Sequence, residues 1–341
     1  THVSEDVLPY VQVYYLPLPE DQVLSVLQTI SGNTTPASPT FSYNSITIVA
    51  DNTKIFYDQW EDGYETAINN PTGSTTEIWG DNDPSNGMPP GFLTDVLHAG
   101  DIITLNNPVD TSLLGTRITF DGRDKLASTE AIALTRTSWA SGSGTLHAGS
   151  EEVLDTSIWG TAYDIPVADS LEADDFSYVG LSVMAAENNT LLYNNAKNLV
   201  ATLNQGQSYL FNDNVALGNR ITASKPVQAT LLTGDIDSNY ESNFFTLYPN
   251  ALLSSSYYAV VPSYTTNTVS TAVYLYNPGT TSITVHWTTG GTVTDITVPA
   301  RGGYRQLMPT TAASAHFYTD SALFSAISII DSSDQRYDWG Y

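Results

Sequence analysis

The feature that most constrains the fold is an internal repeat: a strand, a polar turn and a second strand occur together three times. The copies begin at 45-SITIVADNTKIFYD-58, 181-LSVMAAENNTLLYN-194 and 272-AVYLYNPGTTSITVHW-287. Apolar and polar residues alternate on both sides of each turn, a pattern that predicts a β-hairpin. The chain is therefore predicted to contain three related β units.

Each unit continues with a glycine-led strand and closes with a strand that follows a serine. The glycine-led strands are 99-AGDIITL-105, 205-QGQSYLF-211 and 301-RGGYRQL-307, and the closing strands are 128-STEAIALTR-136, 224-SKPVQATLL-232 and 321-SALFSAISII-330. A unit of about 90 residues with six or seven short strands has the size of a β-sandwich. The first unit is longer because it carries an insert, mostly residues 59–97.

The predicted fold class is all-β, with tandem β-sandwich-like repeats packed into one rigid body and few short helices. Abundant Thr, Ser, Asn, Gly, Tyr and Val favour strands and turns. We expect an N-terminal strand and short helix in residues 1–40, a first unit in 41–165, a second in 166–260 and a third in 261–341.

Helices are predicted at two places. The better candidate is 20-EDQVLSVLQTI-30, in which apolar residues recur at helical spacing and two acids occupy the first turn. A predicted strand, 10-YVQVYYLPL-18, precedes it, and a smaller helix candidate is 149-GSEEVLDTSIWG-160.

The charge of the chain limits its partners. There are 36 acidic and 11 basic residues, so the formal net charge is −25. Nucleic acid and anionic membrane surfaces would be repelled. No run of about 18 apolar residues occurs, so membrane insertion is not expected either. Self-association, or binding to an extracellular glycan or protein, is compatible with this charge.

The location is predicted to be extracellular or at the cell surface. The chain has no cysteine, which excludes disulfides and thiolate catalysis. It opens at Thr1 without a basic leader, and we interpret it as a form from which a signal peptide has been removed.

Several stretches carry a family resemblance. They are 14-YYLPLPEDQ-22, 50-ADNTKIFYDQWEDGYE-65, 76-TEIWGDND-83, 120-FDGRDKLAST-129, 204-NQGQSYL-210, 224-SKPVQATLLTGDIDSNYES-242 and 274-YLYNP-278. Through them the chain resembles extracellular bacterial proteins related to the N-terminal domain of IgGFc-binding protein, although Gln59 replaces a histidine of the bacterial motif. The resemblance implies a large secreted or surface-attached protein, and it brings no set of catalytic residues.

The stretch 57-YDQWEDGYE-65 is the candidate site. Carboxylates beside aromatic rings could cleave a sugar, since glycoside hydrolysis uses two carboxylates about 5–10 Å apart. The alternative is a loop held by its rings. In an enzyme the acids would be Asp58, Glu61, Asp62 and Glu65. The candidate ligand-binding residues are Trp60, Tyr64 and Trp79, together with Arg123, which could clamp a carbohydrate carboxylate or form a structural salt bridge.

Calcium is the candidate cofactor, because hard cations prefer the oxygen ligands that the acidic stretches offer. The predicted ligands are Asp58, Asp62, Asp235, Asp237 and Glu241, with a metal-free network of turns as the alternative.

Two other features are weaker. The triplets at Asn33 and Asn188 permit N-glycosylation in a suitable host. The histidines, including His286 and His316 in predicted strands, form no recognisable zinc motif.

Three functions are consistent with these observations. Repetition without a catalytic signature favours a structural or adhesive module that self-assembles or binds a surface glycan or protein. The segment 8-LPYVQVYYLPL-18 could be donated to the strand edge of a neighbouring chain, or it could pack on its own. The alternatives are a secreted glycoside hydrolase or lyase that uses residues 57–65, and a non-catalytic carbohydrate-binding module.

Overall fold

The computed structural model describes residues 11–31, 40–73, 76–109, 120–140, 147–238, 241–260, 269–309, 314–332 and 339–340. These residues lie mainly in antiparallel strands, which confirms the all-β prediction. The α-helices described are α1 (Glu20–Ile30) and α2 (Ala173–Phe176), with short 3₁₀ helices at Trp60–Asp62, Thr156–Ile158 and Asn250–Leu252. None of the described helices is long and apolar enough to cross a membrane.

The N-terminal part of the chain forms two facing sheets. Its strands are β1 (Gln12–Tyr15), β2 (Thr40–Ile48), β3 (Ile55–Asp58), β4 (Glu77–Trp79), β5 (Ile102–Val109), β6 (Lys125–Ser128), β7 (Ile132–Ala140) and β8 (Ala148–Glu152). The sheet orders are β1-β6-β3-β4 and β5-β2-β7-β8. Tyr57 and Trp79 from the first sheet share one core with Ile46 and Leu134 from the second.

The middle of the chain forms one seven-stranded sheet. Its strands are β9 (Gly160–Asp164), β10 (Tyr178–Ala185), β11 (Thr190–Tyr193), β12 (Leu199–Leu203), β13 (Ser208–Phe211), β14 (Arg220–Gly234) and β15 (Ser242–Leu247). The order is β12-β11-β14-β10-β13, with β9 and β15 also paired to β14. The pairing of β14 with β9 changes register between Thr222 and Val227, around Pro226, which has no N–H for a ladder.

The C-terminal part forms two more sheets. Its strands are β16 (Ser256–Val260), β17 (Val269–Tyr276), β18 (Ile283–Thr289), β19 (Thr292–Val298), β20 (Gly303–Leu307), β21 (Ser314–Tyr318), β22 (Ser325–Ser332) and β23 (Trp339–Gly340). The orders are β16-β21-β18-β19 and β20-β17-β22-β23. The division of the chain at residues 165 and 260 is our proposal.

The repeat is visible as the same trio of strands in each copy. The first strand of every copy lies between its glycine-led strand and its closing strand, in the orders β5-β2-β7, β13-β10-β14 and β20-β17-β22. All of these pairs are antiparallel.

The hairpins predicted at the start of each copy are wrong. The strands that flank each turn, β2 and β3, β10 and β11, or β17 and β18, do not pair with each other. Both edges of the first strand are already occupied by other members of its trio. In the first and third copies the turn therefore carries the chain into another sheet, and in the second the chain continues along the same edge of β14, where β11 pairs with Ala223 and Thr222.

The sheet that contains β17 is buried on both faces. Val273 and Leu275 point into the core of the C-terminal sandwich. Ala272 and Tyr274 point the opposite way, into the core beneath the seven-stranded sheet. One sheet thus completes two cores, which explains the continuous apolar run in β17.

Helix α1 covers the other face of the seven-stranded sheet, and its bounds match the prediction. Val23, Leu27 and Ile30 pack against Tyr178 and Phe244. The smaller helix predicted at residues 149–160 is wrong: strand β8 and a 3₁₀ helix occupy this stretch.

The N-terminal strand packs on its own chain. Strand β1 pairs with β6 from Gln12–Ser128 to Tyr15–Lys125. Donation of this strand to a neighbouring chain would first require its release.

A buried ion pair fixes α1 to the N-terminal sheets. The Glu20 carboxylate accepts hydrogen bonds from Arg136 Nη2 at 2.7 Å, Ser42 Oγ at 2.9 Å and Gly122 N at 2.9 Å. Arg136 also donates to Asn44 Oδ1 at 3.0 Å. Both charged side chains are almost fully buried.

Arg136→Met should reduce the free energy of unfolding by about 3–5 kcal/mol, because it leaves the buried Glu20 charge without a cationic partner. Urea unfolding of the purified chain measures this. The control is Lys225→Met in the exposed Lys225–Glu187 pair, whose N–O distance is 3.3 Å, with an expected loss of at most about 1 kcal/mol. Equal losses in both variants would contradict the prediction.

Candidate functional site

The loop at residues 58–65 is closed by a pair of cross-strand neighbours. Asp58 ends β3 and faces Lys125 on β6. The Asp58 carboxylate accepts from Glu65 N at 2.8 Å and from Thr76 Oγ1 at 3.2 Å, while Lys125 Nζ donates to Glu65 O at 3.0 Å. Burial raises the pKa of Asp58 and lowers the pKa of Lys125. Asp58 therefore binds the backbone of its own loop.

Trp60 is tied to the stretch 121-DGRD-124. Its indole Nε1 donates to Asp121 Oδ1 at 2.9 Å, and its backbone N donates to Asp124 Oδ1 at 3.2 Å. The Arg123 guanidinium lies 4.9 Å from the centre of the Trp60 ring, within the range of a cation–π contact. Two of the four residues proposed to bind a ligand, Trp60 and Arg123, are thus in contact with each other.

Glu61 belongs to a cluster of enclosed carboxyls that the sequence analysis missed. Neither of its carboxylate oxygens has a hydrogen-bond partner among the described residues. Burial, with the charges of Glu20 and Glu61, raises the pKa of Asp121 to about 8. Burial, with the charge of Asp121, raises the pKa of Asp124 well above its ordinary value, although Tyr57 Oη donates to it at 2.6 Å. Burial and mutual repulsion thus favour the protonated forms of Asp121 and Asp124.

An acid that keeps its proton beside a carboxylate is the arrangement that glycosidases use for general acid catalysis. Here Asp121 is 5% exposed and its carboxyl already accepts the Trp60 N–H. The signal that could have found the cluster is the pair of acids around Arg123, in one of the stretches that carry the family resemblance.

Tyr64 joins the N-terminal sheets to the seven-stranded sheet. Its hydroxyl donates to Arg123 O at 2.8 Å, and its ring packs edge-on against Tyr15 at 5.7 Å. A Cβ atom on Gly206 would lie 1.6 Å from the Tyr64 hydroxyl. This ring fits only because residue 206 is glycine.

The other ring predicted to bind a ligand is inaccessible. Trp79 is fully buried and stacks on Tyr57 with 5.0 Å between ring centres. Its Nε1 donates to Glu77 Oε2 at 2.8 Å. Trp79 occupies the core of the N-terminal sandwich.

The residues predicted to bind calcium lie in two loops. Asp62 is exposed, four residues after the buried Asp58. Asp235 accepts from Ser177 Oγ at 2.7 Å, and the Asp237 backbone N donates to Ile30 O at 2.7 Å, next to the end of α1. One oxygen of Glu241 is buried without a partner among the described residues. No group of three or more metal-ligating side chains is found in the described part of the chain, and calcium binding stays a prediction.

The glycosylation triplets lie in different surroundings. Asn33 lies outside the described residues. Asn188 is in an exposed turn, where its side-chain oxygen accepts from Gln205 N at 3.1 Å.

A row of stacked rings crosses the outer face of the sheet β16-β21-β18-β19. Tyr258 stacks on its cross-strand partner His316 at 4.2 Å and 5° between planes. His316 stacks on Tyr318 at 4.8 Å, and Tyr318 lies 5.2 Å from His286. Hydrogen bonds fix the imidazoles, to Ser256 Oγ at 2.8 Å for His316 and to Asp295 Oδ1 at 2.7 Å for His286.

We call this surface the ring face, and its composition differs from that of the whole chain. Its outward residues carry one carboxylate in a chain with a net charge of −25. They are Ser256, Tyr258, Val260, Thr284, His286, Thr288, Val293, Asp295, Thr297, Ser314, His316 and Tyr318. Sequence alone misses the row because cross-strand register decides which rings meet.

The family described as IgGFc binding protein matches residues 76–329, well over half of the chain. No curated protein matches the sequence.

Asp121→Asn should flatten the dependence of stability on pH. Because the pKa of Asp121 is raised in the folded chain, its contribution to stability is complete below about pH 4. That contribution is lost, at up to about 1.4 kcal/mol per pH unit, as the pH rises to about 8. Unfolding free energies at pH 5 and pH 8 measure this. Asp169→Asn, at an exposed position, is the control. If the difference in unfolding free energy between pH 5 and pH 8 is the same in Asp121→Asn as in the unsubstituted chain, the raised pKa of Asp121 is refuted.

Gly206→Ala should destabilise the chain more than Gly290→Ala, by about 1–3 kcal/mol. Both glycines have similar positive φ angles, +71° and +59°, but a Cβ on Gly290 would meet nothing within 4 Å. The difference should disappear when both substitutions are made in a Tyr64→Ala background, because the clashing ring is gone. Chemical denaturation of the four variants tests this, and a difference that persists without Tyr64 would exclude the clash as its cause.

Proposed function

The chain belongs to the IgGFc binding protein family, and on this basis we propose that it is a non-catalytic extracellular module that binds a protein partner through the ring face. The family supports an extracellular binding or structural module. The observation that carries the finer proposal is the exposed row of rings on an outer sheet.

The composition of the ring face suits a protein partner. Protein interfaces are enriched in Tyr and depleted of charge at their centre. Tyr258 is 76% exposed and Val260 is 65% exposed, so the apolar surface is accessible. Asp295 supplies the single carboxylate of the face, and a partner would not have to neutralise the general negative charge of the chain.

The orientation of the rings argues for a protein rather than a glycan. Sugars stack on the flat faces of aromatic rings, but here the faces of His316 and Tyr318 are turned toward neighbouring rings. The row presents ring edges, hydroxyls and imidazole nitrogens to the partner. These groups donate and accept hydrogen bonds beside apolar surface, as tyrosine does in protein interfaces.

The loop at residues 57–65 has a structural role in this proposal. Asp58, Trp60 and Tyr64 are engaged by groups of the same chain. Sugar cleavage and carbohydrate binding stay as alternative hypotheses. A polysaccharide-cleavage screen with Glu61→Gln and Asp62→Asn as controls addresses the first, and a glycan array addresses the second.

Self-assembly is the alternative to binding a different protein. A second copy of the chain could occupy the ring face, with or without calcium. Sedimentation velocity in calcium and in EDTA distinguishes this case from binding to a different protein.

Tyr258→Ala should weaken binding to a protein partner at least tenfold, because an exposed tyrosine at the centre of an interface is a typical hot spot. The Fc part of immunoglobulin G, which the family description names, is the first purified protein to test by surface plasmon resonance. Tyr304→Ala, at a tyrosine that is 40% exposed on a different sheet, is the matched control. Glycan binding that depends on Tyr258, without protein binding, would contradict the proposal.

A further inference from the structure

A pocket of about 360 Å³ lies between two loops at one end of the seven-stranded sheet. The loops connect β11 to β12 (residues 194–198) and β13 to β14 (residues 212–219). The backbone N–H of Arg220, at the end of the second loop, donates to Asn195 Oδ1 in the first, so the two loops are tied together. The volume lies within the range of small-molecule sites, about 300–1,000 Å³.

The wall of the pocket is polar but uncharged. Ten of the described residues line it, and four of them are asparagines: Asn194, Asn195, Asn214 and Asn219. The other six have apolar or aromatic side chains, and none of the ten is Asp, Glu, Lys, Arg or His. In a chain with 36 acidic and 11 basic residues, this wall offers a counter-ion to neither an anion nor a cation. It therefore suits a neutral polar ligand.

Three of the four amides are fixed in orientation by their oxygens. Each Oδ1 accepts a backbone N–H, and the pairs are Asn194 with Asn198 at 3.0 Å, Asn195 with Arg220 at 3.0 Å and Asn219 with Ala216 at 3.2 Å. Because an amide is planar, binding its oxygen to the backbone turns the Nδ2 group away from that backbone.

The Nδ2 groups of these asparagines are accessible donors. They have no hydrogen-bond partner among the described residues. Asn195 is exposed, and the Nδ2 atoms of Asn194 and Asn219 are not enclosed. Donors that are held in place before binding lose little freedom when a ligand arrives, so they favour a ligand rich in oxygen acceptors.

The floor of the pocket is aromatic. Phe211 is 4% exposed and belongs to the main core. Tyr209 packs on it, with 4.9 Å between ring centres and 74° between planes. Tyr209 is only half-buried, and its hydroxyl has no hydrogen-bond partner within the described part of the chain. An apolar surface with a hydroxyl group thus lies beside the amide donors.

We propose that this pocket binds a neutral sugar residue, whose hydroxyl oxygens accept from the asparagine Nδ2 groups and whose C–H groups rest on Tyr209. A pyranose ring carries hydroxyls around its edge and C–H groups on its faces, so it matches amides that surround an aromatic ring. Acidic sugars would find no cation in the wall and are repelled by the net charge of −25. The pocket shares no residue with the ring face or with the loop at residues 57–65.

The test titrates the full chain with the methyl α-pyranosides of glucose, galactose and mannose, followed by saturation-transfer difference NMR. Methyl α-glucuronide is the anionic counterpart of the glucoside. We expect at least one neutral sugar to bind with a Kd on the order of 1 mM, a typical affinity for so small a ligand. The glucuronide should bind more weakly than that sugar.

Two variants assign the binding to the pocket. Asn219→Asp keeps the oxygen that accepts from Ala216 N but removes the Nδ2 donor, and it should weaken sugar binding at least about tenfold. The matched control is Asn198→Asp, which adds the same charge at an exposed position outside the pocket wall and should leave the affinity within about threefold. Tyr209→Leu keeps apolar packing on Phe211 without the ring or the hydroxyl, and it should also weaken binding. Circular dichroism of each variant establishes that it is folded.

Three results would overturn the proposal: no binding of any of the three neutral sugars, tighter binding of the glucuronide than of all three, or an affinity that is unchanged in both Asn219→Asp and Tyr209→Leu. Because the pocket lies outside the ring face, these variants leave the Tyr258-dependent binding of a protein partner unchanged. Failure of the sugar proposal is therefore distinguishable from failure of the proposed function.

Discussion

The central strand of each repeat has both of its edges hydrogen-bonded, and the architecture follows from this constraint. Strands β2, β10 and β17 each lie between a glycine-led strand and a closing strand. The chain that leaves a central strand cannot fold back beside it, because no edge is free. In two of the three copies it crosses into another sheet, which creates the second layer that a sandwich needs.

Because the sheets are stacked on one another, several charged side chains are buried between them. Strands β10 and β17 are covered on both faces, and polar groups at this depth need partners. With 36 acidic and 11 basic residues, ion pairs such as Glu20–Arg136 serve only some of the buried carboxyls. Burial favours the protonated form of three others, as the raised pKa values of Asp121, Asp124 and Glu151 indicate. Ion pairing and protonation thus both serve to place carboxyls in the interior of this acidic chain.

Sequence patterns predicted individual helices and strands well, but they predicted poorly which strands pair with each other. Helix α1 was predicted with the correct bounds because its apolar spacing and acidic first turn are properties of one segment. The turns after β2, β10 and β17 were predicted to close hairpins, because the alternation of apolar and polar residues does not reveal which strand edges are already paired. Residues 149–160 were misassigned for a related reason: Gly149 and Glu151 face inward on β8, an alternation that the helical interpretation overlooked.

The candidate site shows the same limit. The sequence brought attention to residues 57–65, but their partners at Asp121, Asp124 and Gly206 are distant in the chain and meet the loop only in the folded protein. The insert of the first copy packs between neighbouring sheets, and its Trp79 is buried in the core of the N-terminal sandwich. The outer sheet of the third copy, in contrast, keeps an exposed face and carries its rings there. When related units pack into one body, the sheet whose face stays exposed is the one that can bind a partner, and this argument supports the proposed contact surface on β16, β18 and β21.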